Sequence, residues 1–108
     1  MFGYTTGPKN ISVEEAHEKN GTDGHVLLDV RTEEEFKEVS APGAVNIPLD
    51  RLSAHVDKLS KHDSIHVICR SGGRSAMATN ALHGAGLTHA ENVSGGMMAW
   101  EKAGLPTK

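Results

Sequence analysis

Short apolar runs alternate along this chain with longer stretches that carry apolar residues at helical spacing. "HVLLDV" (His25 to Val30) follows the turn-forming "NGTDG", and a run of that length reads as a buried strand. "TEEEFKEVS" comes next, with Thr32 placed to cap a helix and Glu33, Glu34 and Glu35 in its first turn, where carboxylates favour the positive end of the helix dipole. Its "EEEFKE" portion reads as a solvated face. Pro42-Gly43 predicts a turn into a second strand, Ala44 to Ile47, stopped by Pro48. In "DRLSAHVDKLSKHD", Leu52, Val56 and Leu59 fall on one face of a helix, and Ile65 to Cys69 forms a third strand. Ala78, Ala81, Leu82 and Ala85 predict the buried face of another helix, with Ser75 as its N-cap and Gly84 or Gly86 ending it. "AENVSGG" reads as a strand running into a turn, and "MMAWEKAG" as a last helix closed by Gly104 and Pro106. Nearer the N-terminus, Ser12 and Glu15 predict a capping box on a helix from Val13 to Lys19, with "KNI" before it as an edge strand.

The connections between successive strands are long enough to hold a helix each, which parallel pairing requires and a hairpin does not. The expected architecture is therefore α/β, with a central parallel sheet flanked by helices on both faces. Ligands of such sheets sit outside the carboxyl ends of the strands. With 108 residues and 37% hydrophobic content, the chain supports one core, so residues 1–108 read as a single domain with residues 1–8 as a loose N-terminal extension. A net charge of -3 without a basic block argues against a nucleic-acid partner. No apolar run approaches the length of a membrane span, and no basic-then-apolar leader opens the chain, so it reads as soluble and cytoplasmic, without a membrane partner. The single cysteine cannot close an internal disulfide, and a free thiol suits a reducing compartment.

That cysteine, Cys69, ends the third strand and is followed at once by Arg70, Ser71, Gly72, Gly73, Arg74 and Ser75. A lone cysteine is more often buried and inert than reactive. A core cysteine has no use, however, for two arginines and two glycines in the next five residues. Gly72 and Gly73 let the backbone curl so that several N–H groups converge on one spot, which suits an anion. A thiolate there gains from those amides, from the helix starting near Ser75 and from Arg70 and Arg74; comparable sites lower a cysteine pKa from about 8.5 to roughly 3.5–7.5.

Four residues separate Cys69 from Arg74, one fewer than in the phosphate-binding loop of dual-specificity cysteine phosphatases. The smaller ring resembles that of the rhodanese family, and the resemblance extends over nearly the whole chain. "VLLDVRTEEEF" resembles the family's strand and Asp-Val-Arg turn, "PGAVNIPL" its Gly-Ala-x-Asn-Ile-Pro segment, "CRSGGRS" its active-site loop and "VSGGMMAWEKAGLP" its Gly-Gly-x-x-x-Trp ending. One departure stands at Ser40-Ala41, where family members often carry a histidine; it lies away from the loop and bears on substrate or partner preference.

The resemblance implies a thiosulfate sulfurtransferase that works through a Cys69 persulfide. Residues Arg70 to Ser75 would bind a small anionic sulfur donor and the persulfide, and the sulfur would leave to cyanide, a thiol or a protein acceptor. No cofactor beyond that covalent intermediate is implied. A non-enzymatic persulfide carrier or binding module is an alternative reading, and a cysteine phosphatase or arsenate reductase, disfavoured by the short loop, is another. Asp29 and Arg31 close their strand and read as support for the site, paired with each other or with neighbouring backbone. The chain has seven histidines, of which His62 and His66 are four apart but straddle the entry into a strand, so no metal site is expected. Met97, Met98 and Trp100 read as core and rim packing beside the cysteine pocket.

Overall fold

The computed structural model describes residues 9–108, so the extension expected over residues 1–8 lies outside the described residues. Strand β1 (Asn10–Ile11) leads into helix α1 (Val13–Lys19), followed by β2 (His25–Asp29), α2 (Glu33–Glu38) and β3 (Val45–Asn46). A 3-10 segment (Leu49–His55) runs directly into α3 (Val56–Leu59), and then come β4 (Ser64–Ile68), α4 (Gly73–Gly84), β5 (Ala90–Val93) and α5 (Gly96–Lys102). The five strands form one sheet in the order β1-β5-β4-β2-β3. Every pair in it is parallel, as the long connections require.

Alternation along the central strands divides the interior in two. Val26, Leu28, Val67 and Cys69 face Leu52, Leu59, Ala78 and Leu82 on one side of the sheet. Leu27, Ile68 and Val93 face Ala16, Met97 and Trp100 on the other. Both faces are therefore covered by helices, and each central strand reads as a continuous apolar run for that reason. Among the described residues no helix is long and apolar enough to cross a membrane.

Several local expectations are corrected. The stretch holding Leu52, Val56 and Leu59 is not one α-helix: after Pro48 the chain coils more tightly, with the Arg51 N–H donating to the Pro48 carbonyl, and still turns Leu52 and Leu59 inward. The expected strand Ala44 to Ile47 shrinks to Val45–Asn46, which pairs with β2 on one side only. In α4 the buried residues are Ser75, Ala78, Thr79 and Leu82, whereas Ala81 and Ala85 are exposed. Two hydroxyl side chains thus occupy positions an apolar pattern does not reveal. Gly72, not Ser75, is the N-cap of α4. The capping box expected at Ser12 and Glu15 forms its Ser12 half, with the Glu15 N–H donating to Ser12 Oγ at 3.1 Å. The reciprocal box closes instead on α2, between Thr32 and Glu35.

Candidate active site

Cys69 follows the last residue of β4, at the carboxyl end of the sheet, and the chain turns sharply there into α4. Gly72 makes that turn at φ +110°, a conformation that side-chain-bearing residues rarely adopt. The turn aims the Gly72 N–H at the sulfur, donating to Cys69 Sγ at 3.1 Å. Ser75, in the first turn of α4, brings its hydroxyl to 3.3 Å from the same atom. Cys69 itself is only 1% exposed and packs within the core. It is thus buried like an inert cysteine yet hydrogen-bonded like an anion.

Burial pushes the Cys69 thiol up, but the Ser75 hydroxyl and the amides of Ser75, Gly72 and Ser71 more than offset it, and the thiol titrates below its ordinary value. The dominant stabilising groups are the amides and the hydroxyl rather than the two arginines. Arg74 turns to α2 and forms a two-pronged pair with Glu35, Nη1 to Oε1 at 2.6 Å and Nη2 to Oε2 at 2.9 Å. That pair, together with hydrogen bonds from Thr32, holds the Glu35 carboxyl down at about 2 despite the opposing effect of burial, and the same carboxylate raises the Arg74 pKa. A cavity of about 240 Å³ opens beside Arg74, between Val30, Thr32, Pro48, Leu49 and Asp50. Arg70 and Ser71 are exposed at the rim of the loop.

The loop is held from behind by α5. The Met97 N–H donates to the Cys69 carbonyl at 2.8 Å and the Met98 N–H to that of Arg70 at 3.0 Å. This approach depends on Gly96 (φ +56°): a Cβ there would collide with the Cys69 carbonyl oxygen and stand 2.6 Å from that of Arg70. Met97 and Trp100 are buried in the core, and Met98 is exposed. Asp29 and Arg31 pair as expected, Nη2 to Oδ2 at 2.7 Å with both side chains buried. Arg31 also donates to the Val39 carbonyl at 2.7 Å, tying down the end of the segment that carries Glu35. His66 is fully buried against His25, with His66 Nε2 3.0 Å from His25 Nδ1. Among the described residues no three His, Cys, Asp or Glu side chains stand together as a metal-binding group.

Three participants went unrecognised in the sequence. Glu35 was hidden in an acidic run that reads as solvated, although its spacing from Thr32 marked it as a capping residue. Gly96 is the second glycine of a pair whose need for a bare backbone becomes visible only when α5 meets the loop. Asn92 is a polar residue on the same face of its strand as the buried Ala90; such a residue needs a partner, and that requirement was a usable signal.

The sequence profile of the Rhodanese-like domain matches residues 12–103. The chain belongs to the rhodanese-like domain family. It is 41% identical to thiosulfate sulfurtransferase 16, chloroplastic, of Arabidopsis thaliana, over 94% of this chain and 93% of that protein. It is 37% identical to an adenylyltransferase and sulfurtransferase of Meyerozyma guilliermondii, over 92% of this chain but 27% of that protein, so there the match is one part of a longer chain. The crystal structure of a rhodanese-related protein from Thermoplasma volcanium superposes with a TM-score of 0.83 at 30% identity, covering 93% of this chain and 97% of that one. The rhodanese-like loop from Cys69 to Ser75 is therefore set in the fold that its sequence resembles.

Proposed function

We propose that the protein is a sulfurtransferase that carries sulfur on Cys69, with thiosulfate or a similar sulfane donor as the source. The observation that carries this reading is the sulfur atom of Cys69 inside a ring of donors, the Gly72 amide at 3.1 Å and the Ser75 hydroxyl at 3.3 Å. The thiolate attacks the outer sulfur of thiosulfate; an Sγ–S bond forms, the donor's S–S bond breaks, and sulfite departs with that electron pair. An external nucleophile, cyanide, a thiol or a protein thiolate, then attacks the terminal sulfur and returns the Cys69 thiolate. The same amides stabilise the thiolate and the departing charge without reorganising. Arg70, exposed at the rim, draws in the dianionic donor.

A second reading, persulfide relay from a protein donor without efficient use of thiosulfate, is favoured by one feature. Arg74 is neutralised by Glu35, which leaves less positive charge for a small dianion. Intact mass and a thiosulfate:cyanide assay separate these readings. Thiosulfate should add the mass of one sulfur atom to the wild type, and Cys69→Ser should show neither the adduct nor thiocyanate formation. Thiocyanate produced by an unmodified protein, or by Cys69→Ser, refutes the Cys69 route. Loading by a persulfidated protein that far outpaces loading by thiosulfate selects the relay.

A further inference from the structure

Behind Cys69 a line of polar side chains crosses from α4 to the sheet edge. The Ser75 hydroxyl lies 2.5 Å from Asn92 Oδ1 and 3.3 Å from Cys69 Sγ. Asn92 Nδ2 donates in turn to Asn10 Oδ1 at 3.1 Å, which fixes the amide so that its oxygen faces Ser75. Pairing of its backbone with Asn10 on one side and Val67 on the other fixes the direction in which the Asn92 side chain leaves the sheet. Ser75 is fully buried, so solvent offers its hydroxyl no alternative partner. A hydroxyl has one proton to donate. Two acceptors therefore compete for it, and the amide oxygen has the shorter contact.

The geometry points to Asn92 as a positioning residue that competes with the Cys69 sulfur for the single Ser75 hydroxyl proton and so restrains the thiolate. In the thiol state the Ser75 proton goes to Asn92 Oδ1, and the Ser75 lone pairs are free to receive the S–H. When the sulfur is anionic the proton is drawn towards it, and Asn92 Oδ1 is left facing a lone pair at 2.5 Å. That cost falls on the thiolate alone. A cysteine without it would be more acidic, and a poorer nucleophile for each ionised molecule. Other charges around the thiol are Arg70 in the loop, Arg74 paired with Glu35, and Asp29 paired with Arg31. Glu91, beside Asn92 on β5, lies against His66 instead. From α5 the loop meets the backbone of Met97 and Met98.

The inference rests on Cys69 being the reactive thiol, and its test uses alkylation, which needs no sulfur donor. Asn92→Leu removes the competing acceptor while keeping the branching of the side chain. The pH midpoint of iodoacetamide alkylation should fall by about 0.5–1 pH unit, the effect of one hydrogen bond redirected to a charge. Ser75→Ala should raise the midpoint, and Asn92→Leu added to Ser75→Ala should move it no further, because no proton remains to compete for. If Leu is too large for the site, Asn92→Val runs the same cycle in a strand-compatible side chain. A midpoint unchanged or raised by the Asn92 variant that folds, or the same downward shift with and without Ser75, overturns the inference. A downward shift in a protein that never forms a sulfur adduct refutes the proposed function and leaves this inference standing.

Discussion

Cys69 is surrounded by groups of different reach, and their distances rank them. The amides of residues 71, 72 and 75 and the Ser75 hydroxyl act on the sulfur directly, which is why its pKa falls in spite of burial. Arg74 acts at longer range, and its charge is shared with Glu35 through two short hydrogen bonds. Under the proposed sulfur transfer, Glu35 would then tune the pull of Arg74 on an anionic donor, a role its place in an acidic run does not suggest. Glu35→Gln keeps the Thr32 cap within reach but removes the counter-charge, so Arg74 regains its full attraction for an anion. The KM for thiosulfate should fall several-fold, the rate with an uncharged persulfide donor should stay close to that of the wild type, and the gain should shrink at high salt. Steady-state kinetics with the two donors at two ionic strengths check this. Equal changes with both donors would mean that Glu35 acts by ordering α2 rather than through charge.

At the scale of elements, the parallel sheet and most helices were legible because each central strand is a short apolar run with covered faces, and each connection holds a helix-length polar pattern. The turn between β4 and α4 was legible too, since two glycines straight after an apolar strand mark a break in the backbone. Less legible was the inner face of α4: apolar periodicity selected Ala78 and Leu82 correctly but also Ala81 and Ala85, whereas Ser75 and Thr79 fill the rest of the buried face. Their hydroxyls are satisfied by Asn92, by Cys69 and by the Ser75 carbonyl, partners that lie on other elements or become available only once the helix forms. The grip of α5 on the loop was equally hidden, because it is made by backbone. Gly96→Ala tests that grip. The added Cβ meets the carbonyls of Cys69 and Arg70, so α5 must shift or the loop must open, at a cost of about 1–3 kcal/mol from crowding alone. Denaturant unfolding should register the loss, and Cys69 should become more reactive to a neutral alkylating agent as the loop loosens. Unaltered stability and reactivity would show that the contact between α5 and the loop is not what holds the site.

For the whole molecule, the buried histidine of the central strand sets a pH limit separate from the chemistry of the loop. His66 lies fully buried on β4, stacked on His25 with ring centroids 5.2 Å apart. Among the described residues its Nδ1 has no hydrogen-bond partner, and it stands 3.4 Å from the partly exposed Glu91 carboxylate. Burial lowers the His66 pKa from its ordinary 6.5; the Glu91 charge opposes this, and His25 adds to it. The folded protein therefore binds this proton less readily than the unfolded chain does. Stability is full above about pH 6.5 and is lost as pH falls from there through the lower folded-state value, because the unfolded state takes up the proton first. Glu35 acts in a different window: its carboxyl, held near 2 against 4.5 in the free side chain, supports the fold above about pH 4.5 and loses that contribution only as the pH falls towards 2. Urea midpoints measured from pH 8 to pH 3 should thus decline in two steps, the first below 6.5 and the second below 4.5. His66→Gln, which keeps a hydrogen-bonding side chain but cannot take on charge in this range, should flatten the first step and leave the second. A first step of the same size in His66→Gln would assign the acid sensitivity to another histidine.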